Sequence, residues 1–287
     1  MNLRLPSLPD AIVAEVGSLP DRLEGGTKVG PYSEARPGAV LRVVPGLARF
    51  LARDGDRIDY AMEPGGEREA IRPLLHGALC AALIHQRGEL PLHAATLVPP
   101  GGGAAIAVAG DKGAGKSTLS FALLRRGWTL LNDDLSRITL EGGRAVVWPG
   151  RGGVRLREDA CERFGLPLAS LSRIAGDPTK CLVEAPAATG GPLPLGAVLL
   201  LDRSGGQTGL ERLRGAEAAL LLTRNVYRPA YVGPLGMGAA LMRTVGRAAA
   251  CAVARLRLDA SPDEIADALE PLVAQTLQVD PLQVDLS

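Results

Sequence analysis

AAIAVAGDKGAGKSTLSFALLRRGWTLLNDD, residues 104–134, decides the fold. AAIAVAG (104–110) carries no charge and reads as a buried strand. Gly110-Asp111-Lys112-Gly113-Ala114-Gly115-Lys116-Ser117 then fits GxxxxGK[ST] at every position, and Thr118 continues into a helix expected from about Gly115 to Arg126 and closed by Gly127. Each element has a physical task in a phosphate site. Glycines let backbone N–H groups approach phosphate oxygens with no Cβ in the way. The helix adds the positive end of its dipole. Lys116 reaches the β- and γ-phosphates, and the Ser117 hydroxyl ligates Mg²⁺. A chance glycine-rich turn is the competing reading, and motif and context together weigh against it. The class is therefore α/β, with a P-loop NTPase-type domain that binds a nucleoside triphosphate.

WTLLNDD (128–134) returns from that helix as a strand ending in Asn132-Asp133-Asp134. In an open parallel sheet this end faces the same crevice as the P-loop. One carboxylate can hold Mg²⁺, and the other can take the proton of a hydroxyl attacking the γ-phosphate. We assign the metal to Asp133 with Ser117 and the base to Asp134, although the two could be exchanged. Adjacent like charges raise proton affinity, and a dication beside them offsets this. The plainer alternative is that one aspartate caps the turn into Leu135–Ser136. An Asp-Asp pair this soon after the P-loop favours a small kinase over a GTPase or motor.

Outward from this core, LPLHAATLV (90–98) reads as one buried strand, RITLEGGRAVVWP as a hairpin turning at Gly142–Gly143, and Gly150–Gly153 as a loop. A helix is expected at Glu158–Phe164, a strand at AVLLLDR (197–203), and a helix at Gly215–Thr223. A long Ala-rich helix is expected over 235–254, then a strand at 255–259 and a last helix started by the capping box of Ser261 and Glu264. Upstream, residues 1–70 suggest a small β region with a hairpin at Asp54–Gly55, and Ile71–Gln86 a helix stopping at Gly88. The expected division is a small α+β N-terminal region, 1–87, and a P-loop kinase domain, 88–287.

Composition sets outer limits. Apolar residues make up 46% and aromatics only 3%, so the core is built from Leu, Val, Ile and Ala. A formal charge of +1 gives no global attraction to nucleic acid or anionic lipid. The N-terminus lacks a signal-peptide core, and no long apolar run escapes a charge: Arg243 and Arg247 break the one at 236–254. A cytoplasmic protein with no membrane or nucleic-acid partner is expected. Cys80, Cys161, Cys181 and Cys251 have no metal-ligand spacing and read as reduced thiols.

HAATLV followed by GDKGAGKSTLSFALLRRGWTLLNDD resembles the catalytic domain of HPr kinase/phosphorylase and its smaller relatives, the HPr-kinase-like serine kinases. His93, Gly110–Ser117, Gly127 and Asp133–Asp134 match the pattern position by position. GDPTKCLV, PLGAVLLLDR and NVYRP (225–229) resemble later segments more loosely. The resemblance implies a Ser/Thr kinase using ATP and Mg²⁺, with GTP left open as donor. It also implies a place for His93 near the phosphates, where sequence alone reads it as structural. HPr kinases carry Glu-x-Arg-Gly-x-Gly after the Asp pair; PGRGGVRLRED here has no such Glu. That departure fits the smaller relatives, several of which are encoded beside ribosomally made (lasso) peptides.

The expected activity is transfer of the γ-phosphate to a hydroxyl of a peptide or small protein. The rivals are a small-metabolite kinase and a nucleotide-binding regulatory module without turnover. Arg155 and Lys180 are candidate substrate contacts, against a reading as a solvated basic loop and turn residues. Arg151, Arg157, Arg224 and Arg228 are weaker candidates of the same kind. His76 and His85 are read as helix residues without a role. The small residues of 235–254 suit close core packing or a homo-oligomer interface.

Overall fold

The computed structural model describes residues 3–174, 177–185, 190–203, 209–257, 261–267 and 269. Among them the strands form sheets of six, nine and three. The six-stranded sheet is built from residues 12–62, with a meander from Thr27 to Met62 and the strand Ile12–Glu15 added parallel to Arg57–Met62. Its hairpin turns at Asp54 and Gly55, both at positive φ (56° and 76°), within the three residues that separate the paired Arg53 and Arg57. Against this sheet packs helical chain over 68–86, through Ile71, Leu75, Leu79 and Leu83. This helix is not uniform. Its middle, Leu75–Leu79, is a π-helical turn that carries His76.

The nine-stranded sheet positions the site. Ala94–Val98 lies between Ala105–Gly110 and Thr129–Asn132 and is antiparallel to both. The outer two therefore run the same way. Their C-terminal ends, Gly110 and Asn132, share one sheet edge with the start of Ala94–Val98, where His93 stands. Leu193–Asp202 runs parallel to Ala105–Gly110 on its other side, pairing Leu201 with Gly110. The sheet is thus mixed rather than open and parallel as the sequence suggested, yet the two ends meet because a single antiparallel strand separates them. One face is covered by the helix Lys116–Leu124 and the small three-stranded sheet, the other by the helices Gly215–Arg224 and Gly238–Ala248.

Four expectations change. Residues 90–98 form two strands, Leu90–Leu92 and Ala94–Val98, which join different neighbours. The break falls at His93, where the chain pairs instead with 225–227: His93 N–H donates to Asn225 O and Tyr227 N–H to Pro91 O, each at 2.7 Å. Arg155 lies on a strand, Val154–Arg157, rather than in a loop. Lys180 likewise lies on Asp177–Val183, and these two strands pair with each other; Gly176 is outside the described residues. The long helix over 235–254 is shorter. Gly236 at φ 71° ends Val232–Leu235, the next helix is Gly238–Ala248, and by Ala252 the chain is a strand of the main sheet. Alanine favours the helix intrinsically, so the Ala-rich run hides the point at which pairing with Leu193–Asp202 overrides that preference.

The turn at Gly142 and Gly143 and the capping box, with Ser261 N–H donating to Glu264 Oε2 at 2.7 Å, are as read. Residues 258–259 lie outside the described residues. Cys80, Cys161 and Cys181 are buried and Cys251 half-buried, all as free thiols. No helix among the described residues is long and apolar enough to cross a membrane.

Candidate active site

Gly110–Ser117 forms the turn between Ala105–Gly110 and the helix Lys116–Leu124. Gly113 and Gly115 adopt φ of 88° and 98°, a region that residues with a Cβ rarely enter. A Cβ on Gly113 would meet nothing within 4 Å, so the backbone angle rather than space calls for glycine there. At Gly115 the Arg203 guanidinium would lie 3.0 Å from a Cβ. The Lys116 side chain is buried and donates to Gly110 O at 2.6 Å and Asp111 O at 3.2 Å, so its ammonium is held over the turn. Burial lowers its pKa, and Asp134, Asp111 and Asp133 counter that in part.

The aspartates are held from below by a buried polar chain. Asn132 Nδ2 donates to Thr96 Oγ1 at 2.8 Å and to Trp148 O at 3.0 Å. Ser136 Oγ, 3.2 Å from Thr96 Oγ1, donates to Ala94 O at 2.9 Å. These bonds satisfy side chains that would otherwise be costly inside the core, and they fix the register beneath the site.

The two carboxylates differ in setting. Asp133 Oδ2 accepts the Arg155 N–H at 3.0 Å, while its Oδ1 is sealed from water without a hydrogen-bond partner among the described residues. Burial, and secondarily the charge of Asp134, push its pKa up to about 6, against the Arg155 amide and the nearby Ser117 hydroxyl. For Asp134 burial acts in the same direction, but His93, Arg155 and Lys116 outweigh it and hold the pKa below the ordinary carboxylate value. His93 Nε2 is 3.1 Å from Asp134 Oδ1, and Arg155 Nη1 is 3.7 Å from Oδ2. Tyr227 stands edge-on to the His93 ring at 5.5 Å between centroids.

Asp111 and Lys112 are exposed on the turn, and Ser117 and Thr118 are half-buried at the helix start. Lys180 lies 3.7 Å from Asp177 and near enough to Lys116 to act on its charge. Arg157 and Arg224 are exposed and are not brought to the aspartates. Three contributors carry no motif. Arg203, just past the strand Leu193–Asp202, donates Nε–H to Ala114 O at 2.9 Å and so braces the turn. A basic residue at the end of the strand beside the P-loop strand was the available signal. Asn225 and Tyr227 position His93, which the loosely matching NVYRP segment did not specify.

A sealed carboxylate oxygen beside a serine hydroxyl is a donor set that suits a hard dication, so Asp133 and Ser117 fit Mg²⁺. The glycine turn, the Lys116 ammonium and the helix N-terminus suit phosphate. No family model matches the sequence, and no curated protein does. Among solved structures the chain is similar to the Hpr(Ser) kinase/phosphatase from Coxiella burnetii, at 16% identity over 64% of this chain and 94% of that one, with a TM-score of 0.33. At that TM-score the likeness carries no weight for function.

Proposed function

We propose that the protein is a kinase that transfers the γ-phosphate of ATP to a Ser or Thr hydroxyl of a peptide or small protein. The observation that carries this reading is the position of Asp134. It is a carboxylate kept ionised by His93 and Arg155, at the same sheet edge as the Lys116 ammonium.

In this reading the turn amides and Lys116 hold the phosphates, while Arg203 keeps the turn in shape. Mg²⁺, held by Ser117 and Asp133, would neutralise charge on the phosphate oxygens. The acceptor oxygen forms a bond to the γ-phosphorus as the bond to the β–γ bridging oxygen breaks. ADP departs, and the acceptor proton passes to Asp134. His93, with Nε2 3.1 Å from Oδ1, orients that carboxylate.

A ribosomally made precursor peptide, including a lasso precursor, is the acceptor that the sequence pattern favours over HPr. The test is mass spectrometry of HPr and of serine-bearing precursor peptides, each incubated with the protein and Mg·ATP. Phosphate on a peptide hydroxyl is expected. Phosphate on HPr alone reverses the choice of acceptor, and modification of neither moves the reading to a small-metabolite kinase.

A further inference from the structure

A cavity of about 350 Å³ opens beside Asp133 and Asp134, and none of Gly110–Ser117 lines it. Its walls come from distant parts of the chain. Arg151 and Arg155 follow the aspartates in sequence, whereas Arg72 and His76 belong to the helical stretch over 68–86. The N-terminal region thus forms one side of a cavity whose other side is the aspartate pair.

That wall is fixed. Arg137 is buried and donates to Glu89 at 2.7 and 2.8 Å and to Ser7 O at 2.7 Å, and Ser7 itself lines the cavity. His76 sits on the π-helical turn Leu75–Leu79, an irregularity that costs helix hydrogen bonding and often marks a functional position. Burial first, and then Arg151, Arg155 and Arg72, hold its pKa down to about 4. Three guanidiniums therefore act on one point of the wall.

Their existing partners do not use them up. Arg72 Nε meets Glu69 at 2.9 Å through one edge of its fork. Arg151 makes no hydrogen bond or ion pair among the described residues; burial first, then Arg155 and Arg72, lower its pKa, and the cavity carboxylates Glu69 and Glu184 counter them in part. Guanidinium forks gathered at a concave site are a receptor for a carboxylate or phosphate.

We propose that this cavity is the acceptor site and that the acceptor carries an anionic group, carboxylate or phosphate, seated between Arg72 and Arg151 with its hydroxyl toward Asp134. The placement of the hydroxyl rests on the kinase reading; the anion seat can be tested without turnover. Specificity for the acceptor then lies in the N-terminal region as much as in the phosphate-binding domain.

The experiment is calorimetry with three probes, N-acetylserine, its neutral amide and glycerol 3-phosphate, in the presence of Mg²⁺ and a non-hydrolysable ATP analogue. The intact protein should bind an anionic probe about tenfold or more tighter than the amide, the range of a charge-assisted hydrogen bond. Which anion binds better identifies the group. Arg72→Gln and Arg151→Ala should each erase most of that preference with nucleotide affinity kept, and Arg72→Lys should restore part of it. Equal affinity for amide and anions, a preference that survives both substitutions, or binding of no probe at millimolar concentration overturns the proposal. Loss of nucleotide binding in the intact protein would instead contradict the kinase reading itself.

Discussion

His93 Nε2 and Asp134 Oδ1 lie 3.1 Å apart, joining the residue that splits two strands to the carboxylate at the end of a third. His93 falls between the strands Leu90–Leu92 and Ala94–Val98, where its N–H bonds to Asn225 O and its ring stands edge-on to Tyr227, and there the imidazole meets the aspartate. The contact leaves Asp134 ionised and oriented, while burial makes Asp133 resist ionisation despite the hydrogen bond from the Arg155 amide.

Asp134→Asn keeps the shape and removes the proton acceptor of the proposed kinase. Turnover should fall by about 10²–10⁴, the range for a lost general base, with little change in nucleotide affinity. Asp133→Asn should instead raise the Mg²⁺ concentration needed for half-maximal rate. Near-normal rates in both variants would mean that the pair only caps its turn.

Gly150→Ala should damage the site from outside. A Cβ there would fall 2.0 Å from Asn132 Oδ1, inside the polar chain under the aspartates. A stability loss of roughly 1–3 kcal/mol is expected from such overpacking, together with reduced turnover. Thermal and denaturant melts give the first number; unchanged stability would show that the strand end yields easily.

Arg137→Leu leaves the half-buried Glu89 without its partner and releases Ser7. Breaking a fully buried ion pair from one side costs about 3–5 kcal/mol, and because Glu89 is partly exposed a loss near the lower end is expected. The double variant with Glu89→Leu should recover a large part of the loss. A double variant as unstable as the single one would mean that the bond to Ser7, not the charge pair, matters most.

His76 should give stability a pH dependence. Its pKa falls from 6.5 in the unfolded chain to about 4 in the folded one, through burial and the neighbouring arginines. As pH drops below 6.5 the unfolded chain takes up the proton first, so stability declines until about pH 4. In His76→Gln the melting temperature should fall less steeply over that window. An identical slope would show that other groups carry the dependence.

What the sequence disclosed was local. The GxxxxGK[ST] motif is legible because its glycines, Lys116 and Ser117 are adjacent in sequence, and the aspartates follow one helix later. What it hid depends on distant partners. His93 breaks a continuous apolar run only because 225–227 comes alongside, and nothing within 90–98 records that. Arg155 and Lys180 sit on paired strands that the neighbouring glycines and turn residues disguised. The cavity draws on residues from Pro6 to Glu184, so no stretch of sequence contains it. His76, a lone histidine on an apolar helix, gave no sign of facing it.

The most direct measurement of the central claim, that Gly110–Ser117 holds the phosphates of a nucleoside triphosphate, is calorimetric titration of Mg·ATP into the protein and into Lys116→Ala. The intact protein should bind, and the folded variant should lose most of that affinity. An unchanged affinity in the folded variant would contradict the phosphate site and the kinase built on it.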